Sequence, residues 1–195
     1  MKILVTTDGS ERSLCVLPHA ARFATALGAE LVLMRVLDPR IDASKEVAPA
    51  LEDATGRVRE RWAAELREVL ATRAIAGEIH IAERKWGEDI PSAIHGAADE
   101  LGATLLAMDS RGTGAIRHAL FGSVTMGVIS RADLPVMTLG GCPPAPGHTG
   151  AYHLLVTSDG SPDARSVIPG LGDILSPGKT KVTLLQVVVM RALEP

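Results

Sequence analysis

Between Met108 and Ser130 the chain reads MDSRGTGAIRHALFGSVTMGVIS, an apolar run that breaks into glycines and resumes as an amphipathic segment. Glycine lets backbone approach a ligand closely or take positive φ, and a helix start offers unpaired N–H groups to an anion. Gly112, Gly114 and Gly122 suit a phosphate-sized loop, and Gly122-Ser123 falls where a helix would begin, with Ser123 as its N-cap. A plain connector has the same composition, so the loop's place in the fold must discriminate. A second polar cluster, Asp8-Gly9-Ser10, closes an apolar run near the N-terminus. Its carboxylate either meets a ligand or closes an Asx turn on the backbone around Ser10.

Other chemistries lack their residues. There is no Walker-type GKS/T segment and no G-x-S-x-G elbow, and Ser10 merely follows a DG turn. His19, His80 and His95 show no i, i+4 pairing with cysteines or carboxylates that would hold a metal. A hydrolytic base would have to come from Asp8, Asp109 or His118, and an exposed histidine is the commoner reading of His118. The chain is more simply a binding module than an enzyme.

Composition narrows the partners. Twenty basic residues stand against 23 acidic ones for a net charge of −3, without a basic patch interleaved with aromatics, which leaves no electrostatic footprint for nucleic acid or an anionic membrane. Aromatics make up 3% of the chain, so aliphatic packing must carry the core. Cys15 and Cys142 lie far apart in sequence, and their number suits a reducing compartment. The N-terminus lacks a signal-peptide layout and no apolar run reaches the roughly 18 to 20 residues of a membrane span, so a cytoplasmic protein is expected.

The elements that must position the glycine loop follow from periodicity. Ile3 to Val5 is a strand, and Leu14, Leu17, Ala21, Ala24 and Leu27 recur at helical spacing before Gly28. Leu31 to Val36 is a second strand, apolar on both faces as in a covered parallel sheet. After a connector, Leu51, Val58, Trp62, Leu66 and Val69/Leu70 mark one face of a long charged helix that Gly77 would stop. Glu78 to Glu83 alternates like an edge strand, Asp89 and Pro91 start a helix closed by Gly102, and Thr104 to Met108 suits a central strand. Past the glycine loop, Val124, Val128, Ile129 and Ala132 face inward from a helix, and Pro135 to Leu139 is a fifth strand. Strand and helix alternate throughout, which calls for a parallel sheet with right-handed crossovers and ligand binding at the strands' carboxyl ends.

GGCPPAPGHTG, Gly140 to Gly150, reads as a linker. Beyond it HLLVTSDGSPDARSVIP (His153 to Pro169) aligns without a gap to KILVTTDGSERSLCVLP (Lys2 to Pro18), and the same offset lays Val182 to Val187 on Leu31 to Val36. An internal copy at domain length implies duplication. The copy carries two strands and one helix before Pro195, so a truncated repeat is expected, and it should be the least stable part of the chain.

Three features, the opening ILVTTDGS, the stretch LLAMDSRGTGAIRHALFGSV and the closing DLPVMTL, together resemble the universal stress protein family. The resemblance covers residues 1–139, is followed by a linker over 140–151, and resumes as a truncated second repeat over 152–195. It implies an α/β, Rossmann-like (adenine nucleotide alpha hydrolase-like) three-layer sandwich with a five-stranded parallel sheet of order 3-2-1-4-5, plus a partial β-α-β copy. The nucleotide-binding branch carries G-x-x-G, nine residues, then G-S/T. Here Gly112, nine residues and Gly122-Ser123 keep the second half, while Asp109 stands at the first glycine.

By that resemblance Asp8 would lie near ribose or phosphates and Val36 beside adenine. Arg111 and the amides of Gly112, Gly122 and Ser123 would hold phosphates, with a hydroxyl from Thr125. Asp109 would repel a triphosphate, coordinate a bridging Mg²⁺, or turn away to pair with Arg111. The implied role is a stress-response ATP-binding regulatory module acting through conformational or partner switching. The alternatives are a slow ATPase and a nucleotide-free interaction protein that forms homodimers, or pairs its own repeats, through the fifth strand.

Overall fold

The computed structural model describes residues 1–45, 51–110, 121–140, 142, 152–162, 164 and 180–186. Five parallel strands form one sheet: β1 (Lys2–Thr7), β2 (Glu30–Leu37), β3 (Glu78–Glu83), β4 (Leu105–Asp109) and β5 (Val136–Leu139). Their order is β3-β2-β1-β4-β5, the order that the resemblance implies. The central strands are the most apolar. Ile3 to Thr7 of β1 and every residue of β4 are buried, as expected where helices cover both faces of a parallel sheet.

The helices end where local chemistry ends them. Helix α1 (Leu17–Leu27) carries Pro18 in its first turn and stops at Gly28, whose φ of 66° is left-handed. Helix α4 (Ile90–Leu101) is capped by Asp89, whose side chain accepts the Ser92 amide at 2.8 Å, and it stops at left-handed Gly102. A short helix, α2 (Pro39–Asp42), sits within the expected connector and is capped by Asp38.

The charged helix α3 (Leu51–Thr72) buries Val58, Trp62, Leu66 and Leu70 on one stripe. Its stop differs from expectation. Ala74 adopts φ 52° and the Ile75 amide bonds the Leu70 carbonyl at 2.9 Å, so the turn closes before Gly77 is reached. Gly77 is instead held small by Leu31, because a Cβ there would lie 2.9 Å from the Leu31 side chain.

One face of the sheet packs Leu4, Val32, Met34, Leu106 and Met108 against Ile94, Ala97 and Ala98 of α4 and Val128 of α5 (Ser123–Ile129). Another cluster joins Leu37 to Val58 and Trp62 of α3. Each fully buried Leu or Val contributes about 1.5–3 kcal/mol relative to exposure. In α5 the expected inward face is only partly realised: Thr125 and Val128 are buried, whereas Val124 and Ile129 stay about one-third exposed. Ala132 lies beyond the end of the helix.

The chain divides into two compact units, 1–146 and 147–195. In the second, β6 (Tyr152–Ser158) pairs in parallel with β7 (Thr180–Gln186). Leu154 opposes Val182 as Ile3 opposes Leu31, each residue 151 positions on. The turn after β6 also repeats the turn after β1. The Asp159 carboxylate accepts the Ser161 amide at 2.9 Å as Asp8 accepts Ser10 at 2.9 Å, and Gly160 takes φ 81° where Gly9 takes 87°. Most of the helix expected between β6 and β7 lies outside the described residues.

Candidate functional site

β1 connects onward to β2 on one side yet pairs with β4 on the other, so the strand order reverses between β1 and β4. Loops leaving two such strands diverge, and a crevice opens at their carboxyl ends. It measures about 260 Å³ and is lined by Thr6, Thr7 and Asp8 of β1 and its turn, Met34 and Val36 of β2, and Met108 and Asp109 of β4. Ser13, Ile90 and Ile94 of α4, and Val124 and Thr125 of α5 complete it. Met34, Val36, Ile90, Ile94 and Val124 offer an apolar seat, while the polar groups gather where β1 and β4 end.

The tight turn after β1 aims Asp8. The Ser10 amide and hydroxyl donate to its carboxylate at 2.9 and 2.6 Å, and the Gly9 amide donates to the Thr7 hydroxyl at 3.0 Å. This is the Asx turn that the sequence allowed, and it leaves the exposed carboxylate at the crevice. Burial pushes the Asp8 pKa up, but the Ser10 and Ser13 hydrogen bonds outweigh it, and the net shift is downward. Asp8 is therefore a carboxylate at neutral pH.

Asp109 ends β4 with its side chain 3% exposed. One oxygen accepts from Arg12 Nε at 3.1 Å, and the other, Oδ1, is buried without a hydrogen-bond partner. Sequence reasoning paired this carboxylate with Arg111 or Mg²⁺ and did not single out Arg12, 97 residues away. Arg111, Gly112, Gly114 and His118 lie outside the described residues. The neighbouring Ser110 hydroxyl is likewise buried and unpartnered.

Helix α5 closes the crevice. Its N-cap is Gly122, in an extended conformation with φ −75°, and Ser123 is the first helical residue, which corrects the expected Ser123 cap. The Gly122 amide donates to the Ser110 carbonyl at 2.8 Å, so that N–H is already committed. The Thr125 hydroxyl donates to the Asp109 carbonyl at 3.0 Å, fixing α5 to the end of β4. The structure thus brings Asp8, Val36, Asp109 and Thr125 to one crevice, whereas Gly122 and Ser123, at the start of α5, are not among the residues that line it.

Thr6, Thr7, Ser13, Ile90 and Ile94 line the crevice as well, although the sequence did not mark them. A run of hydroxyls around the DGS turn was the available signal for the first three.

Cys15 and Cys142 also meet. They form a disulfide with Cα atoms 5.3 Å apart across 127 residues of sequence, whereas their number suits a reducing compartment. No helix among the described residues is long and apolar enough to cross a membrane, and no group of three metal-ligating side chains is found among them.

Similar proteins are known. The chain is 28% identical over 153 residues to the universal stress protein MJ0577 of Methanocaldococcus jannaschii, covering 71% of this chain and 93% of that one. The solved structure of MJ0577, described as a structure-based assignment of biochemical function, matches with a TM-score of 0.57 at 24% identity, over 71% of this chain and 94% of that one. A universal stress protein in complex with cAMP is 26% identical with a TM-score of 0.45, over 72% of this chain and 96% of that one. The model of the Universal stress protein family matches residues 1–139, with the five-stranded order and the crevice at its reversal inside the match, and the chain belongs to that family.

Proposed function

We propose that residues 1–139 bind an adenine nucleotide, with ATP and Mg²⁺ as the family expectation, and act as a stress-response regulatory module whose bound state changes shape or partner choice. The observation that carries this reading is the crevice at the strand-order reversal, with an apolar seat beside two carboxylates at the ends of β1 and β4. The purine would lie against Met34, Val36 and Ile94, and the sugar would meet Asp8 and the hydroxyls of Thr6 and Thr7.

A purified sample, denatured and analysed for released nucleotide, tests the proposal together with thermal unfolding in the presence of adenine nucleotides. Bound ligand at a hundredfold excess over its Kd stabilises the fold by ~2.7 kcal/mol. Released adenine nucleotide or a saturating shift is the expected result. Neither nucleotide nor shift with any adenine compound overturns it and leaves the interaction-protein reading. That second reading rests on β5, which pairs with β4 and forms the edge of the sheet, where a second copy could add a strand.

A further inference from the structure

The Cys15–Cys142 bond joins segments that leave two strands not paired with each other. Cys15 lies in the short 3-10 helix Ser13–Val16 that follows β1, and Cys142 lies just beyond the end of β5. In the sheet β4 stands between β1 and β5, so the crosslink ties the two flanks of β4 together at its carboxyl end. On the β5 flank the Ser110 amide donates to the Leu139 carbonyl at 2.9 Å, and a Cβ built on Gly140 would lie 3.9 Å from the buried Ser110 Oγ. On the β1 flank Arg12 pairs with Asp109 at 3.1 Å, and the Ser13 hydroxyl meets that of Thr7 at 2.6 Å. Arg12, Ser13, Leu139 and Gly140 are each close in sequence to one of the two cysteines. The bond is also reachable from solution, because Cys142 is exposed and Cys15 is partly exposed. A thiolate can attack such a disulfide, and accessible disulfides are the labile or regulatory ones.

We propose that Cys15 and Cys142 form a reversible thiol–disulfide switch, which clamps the chain beyond β5 to the Ser13–Val16 helix when oxidised and releases it when reduced. A small-molecule thiolate attacks the exposed Cys142 sulfur, the S–S bond breaks, and Cys15 leaves as a thiolate that takes up a proton. A second thiolate then displaces the first from Cys142. Two small-molecule thiols thereby give up two electrons and two protons, becoming one small-molecule disulfide and leaving two protein thiols. That disulfide, acting as oxidant, reverses the steps. Ser13 lines the crevice, so the redox state sets how firmly one part of its polar wall is held, whatever the crevice binds.

The full chain, equilibrated with glutathione and glutathione disulfide over a range of ratios, provides the test. Free thiols are alkylated and counted by mass spectrometry, and amide hydrogen exchange is followed in the same samples. Both thiols are expected to appear and disappear together and reversibly, and reduction should speed exchange at Ser13–Val16 and Val136–Leu139 at least about tenfold while β2 and β3 keep their protection. A bond that survives a large excess of glutathione overturns the switch, as do thiols that stay reduced at every ratio. Equal exchange in the two states overturns the clamp. Cys142→Ser should exchange as the reduced wild type does with or without oxidant; protection like that of the oxidised wild type would assign the clamp to other contacts and also overturn it. The two wild-type states decide the matter even if the variant does not fold.

Discussion

At the scale of single residues, two positions set the polar end of the crevice. Asp109 is a buried, ion-paired carboxylate, and Gly9 permits the turn that presents Asp8. Gly9 has φ +87°, and a Cβ placed on it would lie 2.6 Å from an Arg35 guanidinium nitrogen. The guanidinium end of Arg35 can swing aside, so the backbone conformation dominates the cost. Gly9→Ala is expected to destabilise the protein by about 1–2 kcal/mol, read as a lower denaturant midpoint. An unchanged midpoint would show that the turn relaxes without loss. The DGS signature was legible in the sequence as a turn, but Arg35 as its neighbour was not, because a strand pattern does not say what its last side chains reach.

At the scale of elements, the ends of α4 and α5 are tied together beside the crevice. Asp89 caps α4 through the Ser92 amide and also receives Arg131, which follows α5, at 2.8 and 2.9 Å. Hydrogen bonding from Ser92, followed by that from Arg131, holds the Asp89 pKa down at about 2, against an ordinary value of 3.8. A carboxyl depressed in the folded state adds stability that is present above its unfolded pKa and lost as pH falls through the folded one. The melting temperature of Asp89→Ala should therefore lie below wild type at pH 7, with a gap that narrows from about pH 4 downward and closes near pH 2. A gap independent of pH would mean that Asp89 acts through packing and not through charge. The cap itself was readable from Asp89 and Pro91. Its ion pair was not, since Arg131 lies beyond the next strand and helix. In α5 the inward face was misjudged for a related reason: with seven residues the helix is too short for periodicity to fix its rotation, and Val124 turns to the crevice.

At the scale of the whole molecule, the Cys15–Cys142 disulfide joins the short 3-10 helix between β1 and α1 (Ser13–Val16) to the chain just beyond β5 within the first unit. Closing a loop of 127 residues constrains the unfolded chain strongly, and disulfides of this kind typically contribute about 2–4 kcal/mol. Denaturant unfolding with and without a thiol reductant should show a loss of that order, and Cys15→Ser should match the reduced wild type. Identical curves would show that the bond does not form in solution. The second unit differs in kind. Leu155, Val182, Leu184 and Leu185 are 44–59% exposed there, whereas the equivalent Leu4, Leu31, Leu33 and Met34 of the first unit are at most 4% exposed. The same strand pair thus exists in two environments, one covered by α4 and flanked by β4 and one not.

The sequence by itself determined the alternation of strands and helices, the helix stops at Gly28 and Gly102, the glycine-serine pair after β4 and the copied DGS turn. All of these are written in patterns within a few residues or in direct repetition of the chain. Strand order also followed once the resemblance was recognised. Only the tertiary structure decided that Arg12 answers Asp109 across 97 residues, that Cys15 meets Cys142 across 127, and that Ile90 and Ile94 share a crevice with Asp8. The physical reason is the same in each case. Periodicity and turn chemistry report which face of an element is buried, whereas charge pairing and cavity shape depend on which distant elements the assembled sheet brings side by side.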